Sequence, residues 1–273
     1  MRVENSKILV PLGDGRAVEA VFYSGKTLCL SSQVGCALGC GFCASGRHGL
    51  MRNLRLEEFG LQLEAARAIG LSPETLTVSG MGEPIHNLEN LCRFVEQMQA
   101  EGLPVSVTTT GGAPEALERL MRLPLRALML SLHAGRQGTR RTLMPRAAPL
   151  SGLLPAFVKL ARGASRRTRR KLGINYLLLE GVNDSLEEFE ALLPLFEALP
   201  DLTLHLLEPN PVPGSPYKAS RSETLLEIFN WCRRHGIHVR RANASRRQPQ
   251  GGCGTLVLRS PVAVSPDPER MSE

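Results

Sequence analysis

Three cysteines within eight residues are the most reactive group of side chains in this sequence: Cys36, Cys40 and Cys43. Neighbouring glycines let the backbone curl until the three thiolates face one centre. A structural zinc site normally takes four protein ligands, whereas three cysteines on a 4Fe-4S cluster leave one iron open to a substrate or cofactor. The spacing therefore favours a 4Fe-4S cluster with one open iron.

Two other interpretations of these cysteines stay open. Cys29 lies seven residues before Cys36 and would complete a four-cysteine zinc site. Alternatively, the cysteines are buried as small hydrophobic side chains. Whether Cys29 is a ligand separates the zinc interpretation from the cluster.

The hydrophobic pattern indicates which elements carry this loop. The apolar run at residues 18–30 leads directly into the cysteines, and helical periodicity begins after Arg55, so the loop follows the end of a strand. Cofactor loops of α/β barrels occupy that position. Beyond Arg55, helix-period and strand-period segments alternate, as in a parallel βαβ succession. The sequence therefore predicts an α/β fold.

Individual elements follow from the same pattern. Short strands are expected at residues 8–12 and Ala17–Tyr23. Asn183 and Asp184 are expected to cap a helix over residues 185–198. A sixth barrel strand is expected at residues 202–208, and a short strand at 237–240 should close the barrel.

Length and composition set limits on the class of protein. A chain of 273 residues suffices for one large α/β domain. Seven cysteines, an odd number, and the lack of an apolar signal segment at the start predict a reducing, cytoplasmic location. No apolar run reaches 18 residues, so no membrane span is expected.

The charge balance favours a polyanionic partner. Lys and Arg number 33 against 26 Asp and Glu, which gives a net charge of +7. Six basic residues fall within residues 162–171, and Arg240, Arg241, Arg246 and Arg247 form a second group. A solvated helix end explains the first group equally well. Aromatic residues are only 4%, so the composition does not indicate a base-stacking platform.

Eight short motifs keep a fixed order between residues 17 and 256. They are TLCLSSQVGCALGCGFC (27–43), RNL (52–54), SGMGEP (79–84), SLHA (131–134), LMP (143–145), GVND (181–184), NPVPGSPY (210–217) and GCG (252–254). Together they resemble the radical S-adenosylmethionine (radical SAM) RNA adenine methyltransferases of the RlmN and Cfr type.

This resemblance implies a fold and a domain organisation. A small β-extension at residues 1–26 would precede a partial (βα)6 radical SAM barrel with its C-terminal active-site loop at 27–256, and residues 257–273 would form a tail. By this resemblance, we expect the protein to lack the helical RNA-binding domain that usually precedes the barrel in this family. The cofactors implied are a 4Fe-4S cluster and S-adenosylmethionine.

The resemblance also assigns roles to individual residues. Cys36, Cys40 and Cys43 would bind the cluster. The residues expected to bind S-adenosylmethionine are Gly82, Glu83, Thr108, Ser131, Leu132, His133 and Asn210. Judged from the residues alone, His133 is more simply a packed side chain at a strand end, and residues 80–84 a plain βα turn.

Three further residues would take part in catalysis. Cys253 would carry the transferred carbon as S-methylcysteine, Cys29 would release the product by forming a disulfide with Cys253, and Glu19 would accept a proton. Without the resemblance, Glu19 is better explained as a solvent-facing strand residue. Cys253 is surrounded by glycines, which leave its thiol unhindered.

The implied reaction is methylation of an adenine ring carbon in 23S ribosomal RNA, transfer RNA or both, with carbon 2 preferred over carbon 8. An external donor such as flavodoxin or ferredoxin would supply electrons, and the enzyme would be a monomer. Residues 245–250 and Asn175 depart from the acidic residues common in the family, which leaves the substrate open. The alternatives are a radical enzyme acting on a nucleotide or peptide and a noncatalytic iron-sulfur RNA-binding or redox module.

Overall fold

The computed structural model describes residues 5–242 and 254–256. Its strands are β1 (Ser6–Pro11), β2 (Ala17–Tyr23), β3 (Thr27–Leu30), β4 (Gln33–Gly35), β5 (Leu50–Asn53), β6 (Thr75–Val78), β7 (Val105–Thr109), β8 (Ala127–Ser131), β9 (Leu172–Leu177), β10 (Thr203–Leu207) and β11 (His238–Arg241). Its α-helices are α1 (Leu56–Ala68), α2 (Leu88–Ala100), α3 (Pro114–Arg122), α4 (Gln137–Leu143), α5 (Leu150–Gly163), α6 (Arg166–Arg169), α7 (Leu186–Glu190), α8 (Leu193–Ala198) and α9 (Ser222–Arg234). The alternation of strands and helices confirms the predicted α/β fold.

Nine of the described strands form one sheet, in the order β1-β2-β3-β6-β7-β8-β9-β10-β11. Neighbouring strands from β3 to β11 pair in parallel, whereas β1 and β2 extend the β3 edge as an antiparallel hairpin. The expected short strand after β10 is present as β11, but it adds to one edge of an open sheet rather than closing a barrel within the described residues. Because the barrel strands are parallel, their carboxyl ends share one rim.

Side chains alternate between the two faces of each barrel strand. In β7, Val105 and Val107 are buried in the hydrophobic core, whereas Ser106 and Thr108 are partly exposed on the other face. The core lies between the sheet and its helices, where Phe59 of α1 stacks on Phe94 with ring centroids 5.1 Å apart. Burying such a side chain contributes about 1.5–3 kcal/mol. The alternation leaves a polar inner face for a ligand.

The expected helix at residues 185–198 is wrong in two respects. The segment forms two helices, α7 and α8, and Pro194 lies at the start of the second. Proline has no N–H to continue a helix from the preceding turn, so α7 ends before it. Ser185 rather than Asn183 precedes α7, while the Asn183 amide donates to the carbonyls of His133 and Leu177. Asn183 therefore ties two strand ends together instead of capping a helix.

The first basic group lies at the amino end of the barrel. Its residues 166–169 form α6, none of them is buried, and β9 begins three residues later. The five residue steps from Leu172 to Leu177 place this group about 16 Å from the carboxyl-end rim. This position favours the solvated helix end as its explanation. In the second group, Arg240 and Arg241 lie on β11, and Arg246 and Arg247 fall outside the described residues.

Among the described helices, none combines the length and hydropathy needed to cross a lipid bilayer.

Candidate functional site

A cavity opens at the carboxyl ends of the parallel strands, with an empty volume of about 910 Å³. The predicted site residues that line it are Cys36, Cys40, Cys43, Gly82, Glu83, Thr108, Ser131, His133 and Asn210. The fold therefore brings together residues that are separated by up to 174 positions in the sequence.

Backbone contacts shape the cysteine loop. The Cys36 N–H donates to the Gly49 carbonyl at 2.9 Å, and the Cys43 N–H donates to the Cys40 carbonyl at 3.0 Å. Gly35 has a φ of +80°, and a Cβ there would lie 2.1 Å from the Gly49 carbonyl oxygen. Only glycine fits this position without moving the β4–β5 hairpin. Backbone hydrogen bonds and the Gly35 conformation therefore determine the shape of the cysteine loop.

Burial keeps the Cys36 and Cys40 thiols protonated in the metal-free chain. It raises the pKa of Cys36 to about 11 and raises the pKa of Cys40 further, where the charges of Cys43 and Cys36 add to the effect. Metal ligation requires thiolates, so binding must displace these protons.

The donor set fits a cluster better than a single ion. In residues 5–242 and 254–256, no three His, Cys, Asp or Glu side chains are grouped closely enough to hold one metal ion. Three cysteines lining one cavity without converging on one point suit a 4Fe-4S cluster, in which each thiolate binds a different iron. Cys29 does not join them, because it is not among the residues that line the cavity; its Sγ lies 3.3 Å from the Ser79 Oγ. The four-cysteine zinc interpretation therefore loses its fourth ligand.

Glu83 is a buried carboxylate of fixed orientation. Its Oε1 accepts from the Thr109 Oγ1 at 2.5 Å, and its Oε2 accepts from the Thr110 N–H and Oγ1, both at 2.9 Å. The preceding Gly82 has a φ of +98°, and a Cβ there would lie 2.6 Å from the Gln33 Cβ. A buried carboxylate favours a cationic partner, since an unpaired charge in the interior is costly. The site can therefore bind an ammonium group of a ligand.

His133 is both packed and oriented toward the cavity. Its Nδ1 accepts from the Leu177 N–H at 3.0 Å, which assigns the ring proton to Nε2. Burial, together with the nearby positive charge of Arg140, lowers the pKa of His133 to about 3. Phe42 of the cysteine loop packs edge-on against the ring at 5.2 Å. His133 is therefore a neutral hydrogen-bond donor near neutral pH.

Leu132 and Glu19 lie apart from the cavity lining. The Leu132 side chain is fully buried, and its carbonyl accepts from Arg140 at 2.8 Å. Glu19 is 2% exposed and lies 3.5 Å from the Lys7 Nζ. The explanation of Glu19 as a solvent-facing strand residue is therefore wrong, because water reaches almost none of this side chain.

The two expected catalytic cysteines differ in what can be said of them. Cys29 is buried on β3 and contacts Ser79, which lines the cavity. Cys253 lies outside the described residues. The next residue, Gly254, lines the cavity, and its carbonyl accepts from the Ala44 N–H at 2.8 Å. This hydrogen bond holds the residue after Cys253 beside Ala44, the residue after the last cysteine of the loop.

Sequence reasoning gave no site role to Arg140, Asn175 or Phe42. Asn175 and Phe42 line the cavity, and Arg140 donates hydrogen bonds to the carbonyls of Thr110, Ser131 and Leu132 beneath it. Asn175 was visible only as a departure from the family pattern. Arg140 could have been suspected from its position just before the LMP motif.

Comparisons with known proteins agree with this geometry. Residues 30–193 match the radical SAM superfamily. The chain is 35% identical over 260 residues to a probable RNA methyltransferase of Pseudomonas aeruginosa, covering 94% of this chain and 74% of that protein. It is 36% identical over 270 residues to the dual-specificity RNA methyltransferase RlmN of Oleidesulfovibrio alaskensis, covering 92% and 74% of the two chains.

A solved structure matches over most of the fold. The radical SAM methyltransferase from Sphaerobacter thermophilus superposes with a TM-score of 0.80 at 33% identity, covering 93% of this chain and 77% of that one. The matched superfamily region contains the three cysteines, Glu83 and His133. The chain belongs to the radical SAM superfamily, within the group of RlmN-type and probable RNA methyltransferases.

Proposed function

We propose that this protein methylates an adenine ring carbon in RNA, with carbon 2 preferred over carbon 8. The observation that carries the proposal is the placement of two chain segments at one cavity. Gly254, next to Cys253, and Ser79, in contact with Cys29, line the same cavity as the three cluster cysteines. Binding a cluster requires neither Cys29 nor Cys253, so their presence supports a methyl-transferring enzyme.

Members of the superfamily use a 4Fe-4S cluster and S-adenosylmethionine. In this chain Cys36, Cys40 and Cys43 would hold the cluster, and the buried Glu83 carboxylate would take the amino group of the cofactor. When bound, the two together supply a carbon-centred radical that abstracts hydrogen. The neutral His133 Nε2–H and the Thr108 and Ser131 hydroxyls would orient the cofactor across the strand ends.

The substrate explains why a radical is needed. Carbon 2 and carbon 8 of adenine are electron-poor and carry no lone pair, so neither can attack the methyl of S-adenosylmethionine directly. A carbon radical can add to the ring. Cys253, first methylated by one cofactor molecule, would lose a hydrogen atom from that methyl group and join the base through the resulting methylene.

Cys29 would then release the product. After the ring has lost its proton to Glu19 and one electron, which would return to the cluster, the Cys29 thiolate would attack the Cys253 sulfur. The S–S bond forms, the S–C bond breaks, and the carbon leaves with the electron pair and takes up a proton. Ser79 hydrogen-bonds the Cys29 sulfur, which keeps this thiol at the inner face near the cavity. Glu19, buried ten residues before Cys29, would accept the ring proton.

The partners proposed are 23S ribosomal RNA, transfer RNA or both, together with an electron donor such as flavodoxin or ferredoxin. The enzyme would act as a monomer. After each turnover, an external reductant would reopen the Cys29–Cys253 disulfide.

The test is to express Cys29→Ala and isolate protein covalently joined to RNA through Cys253. The methylene bridge should form in this variant, but no thiol remains to displace it. Cys92→Ala is the matched control, because Cys92 is buried on α2 away from the cavity, and it should turn over without forming an adduct. Digestion of the adduct would identify the base and the carbon. Normal RNA methylation by Cys29→Ala, or an adduct with a peptide or free nucleotide, would contradict the proposal.

A further inference from the structure

Arg140 is the largest side chain that is fully buried in the described structure, at 1% exposure. It extends from α4 beneath the floor of the cavity. Its Nε donates to the Ala148 carbonyl at 2.8 Å, its Nη1 to Leu132 at 2.8 Å and Ser131 at 3.3 Å, and its Nη2 to Thr110 at 2.9 Å. The guanidinium therefore joins the carboxyl ends of β7 and β8 to the chain before α5.

All of these partners are neutral carbonyls. Other arginines of the fold pair with carboxylates: Arg52 with Asp14 and Glu58, and Arg136 with Glu188. A buried cation that has only neutral acceptors carries a desolvation penalty of several kcal/mol, which a nearby anion must offset. Arg140 therefore carries a buried positive charge that no carboxylate in the described part of the chain contacts directly, so its charge must be offset by an anion farther away.

The anions acting on Arg140 belong to the site. Burial lowers the pKa of Arg140 to about 10, while the negative charges of Cys40, once it is a thiolate, and of Glu83 oppose that change. Thr110 connects the two sides, because its N–H and hydroxyl donate to Glu83 and its carbonyl accepts from Arg140. Arg140 therefore remains charged near neutral pH, and two of its partners, Thr110 and Ser131, line the cavity together with the cluster cysteines.

We propose that Arg140 is a positioning residue that also supplies the permanent positive charge for the cluster, favouring its reduced, more negative state. Net charge and nearby hydrogen bonds are two means by which a protein sets the potential of an iron-sulfur cluster. In the low-dielectric interior, a fixed cation has a larger effect on that potential than a solvated one. This inference depends on the cluster common to the superfamily and not on the identity of the methylated substrate.

The test measures the reduction potential of the cluster in anaerobically reconstituted full-length protein, by a redox titration followed by electron paramagnetic resonance. Arg140→Gln removes the charge but keeps an amide donor. At a fixed potential, its ratio of reduced to oxidised cluster should fall at least tenfold, and a tenfold change corresponds to about 59 mV for one electron. Arg140→Lys, which keeps the charge, should stay within threefold of the wild type.

Arg136→Gln is the control, because Arg136 also borders α4 but is exposed and paired with Glu188. Its cluster ratio should not change. If Arg140→Gln loads a cluster with an unchanged ratio and only lowers thermal stability, Arg140 is a structural tie and the proposal is overturned. If Arg140→Gln fails to load a cluster, Arg140→Lys decides: a ratio within threefold of the wild type supports the proposal, and a tenfold fall despite the retained charge overturns it.

Discussion

The two ends of this barrel both carry many charged and polar residues, but they hold them differently. At the carboxyl end, Glu83, His133 and Arg140 are buried, and hydrogen bonds fix the orientation of each. At the amino end, residues 166–169 form a short helix with no buried residue. Burial of polar groups is costly, so a fold retains it where the groups have a function or satisfy one another. In this protein the functional site is therefore recognised by several polar side chains buried close together, and not by the number of charged residues on a surface.

The largest expected effect comes from removing one thiol at the carboxyl end. Replacing Cys36, Cys40 or Cys43 by Ala should abolish a reconstituted cluster, because two remaining thiolates do not hold it. Cys29→Ala is the matched control and should keep the cluster, since its sulfur contacts Ser79 instead. Iron and sulfide analysis with absorption spectroscopy measures both. Stoichiometric zinc without sulfide in the wild type would contradict the cluster.

A smaller effect is expected from a single Cβ in the cysteine loop. Gly35→Ala combines a left-handed φ, which costs about 1–2 kcal/mol, with a clash against the Gly49 carbonyl, where overpacking costs about 1–3 kcal/mol more. Gly15→Ala has a similar φ of +75° with no atom within 4 Å, so it should show the first cost alone. Urea unfolding of both metal-free variants gives the difference. If both variants lost the same free energy of unfolding, the cysteine loop would be able to move and relieve the clash with Gly49.

The smallest effect is expected from the amino end. Changing Arg166, Arg167, Arg169 and Arg170 together to Glu should alter the salt dependence of RNA binding little, because this surface lies far from the cavity. Arg240→Glu with Arg241→Glu should lower the slope of log affinity against log salt, by about 0.7 for each lost phosphate contact on a single strand. Filter binding at several salt concentrations compares them. If the substitutions at residues 166–170 changed the salt slope more than those at Arg240 and Arg241, the amino-end arginines would be the RNA contacts.

Local pattern was enough to predict much of the fold. The bounds of β2 agree with the prediction, because it is a clear apolar run that ends at a turn. The split of residues 185–198 was missed because an apolar period continues across Pro194. Periodicity shows which face is buried, but it does not show where a helix breaks.

The site was predictable only in part. Nine of the predicted ligand and cofactor residues line one cavity because the motifs all follow strands of a parallel sheet. The burial of Glu19 and Arg140 could not be seen, since charged residues are usually exposed and their environment comes from distant segments. The Glu19 carboxylate lies 3.5 Å from Lys7 of the neighbouring strand, and Arg140 donates to a carbonyl of Thr110, which is 30 residues away in the sequence.

The modification state of Cys253 shows whether this chain stores the transferred carbon on sulfur. Protein purified from cells supplied with S-adenosylmethionine should carry one extra methyl group on Cys253, measured by peptide mass spectrometry. Cys253→Ala should lose that methyl and all RNA product while retaining the cluster and cofactor cleavage. An unmodified Cys253 in the wild type, together with full RNA methylation by Cys253→Ala, would contradict the account.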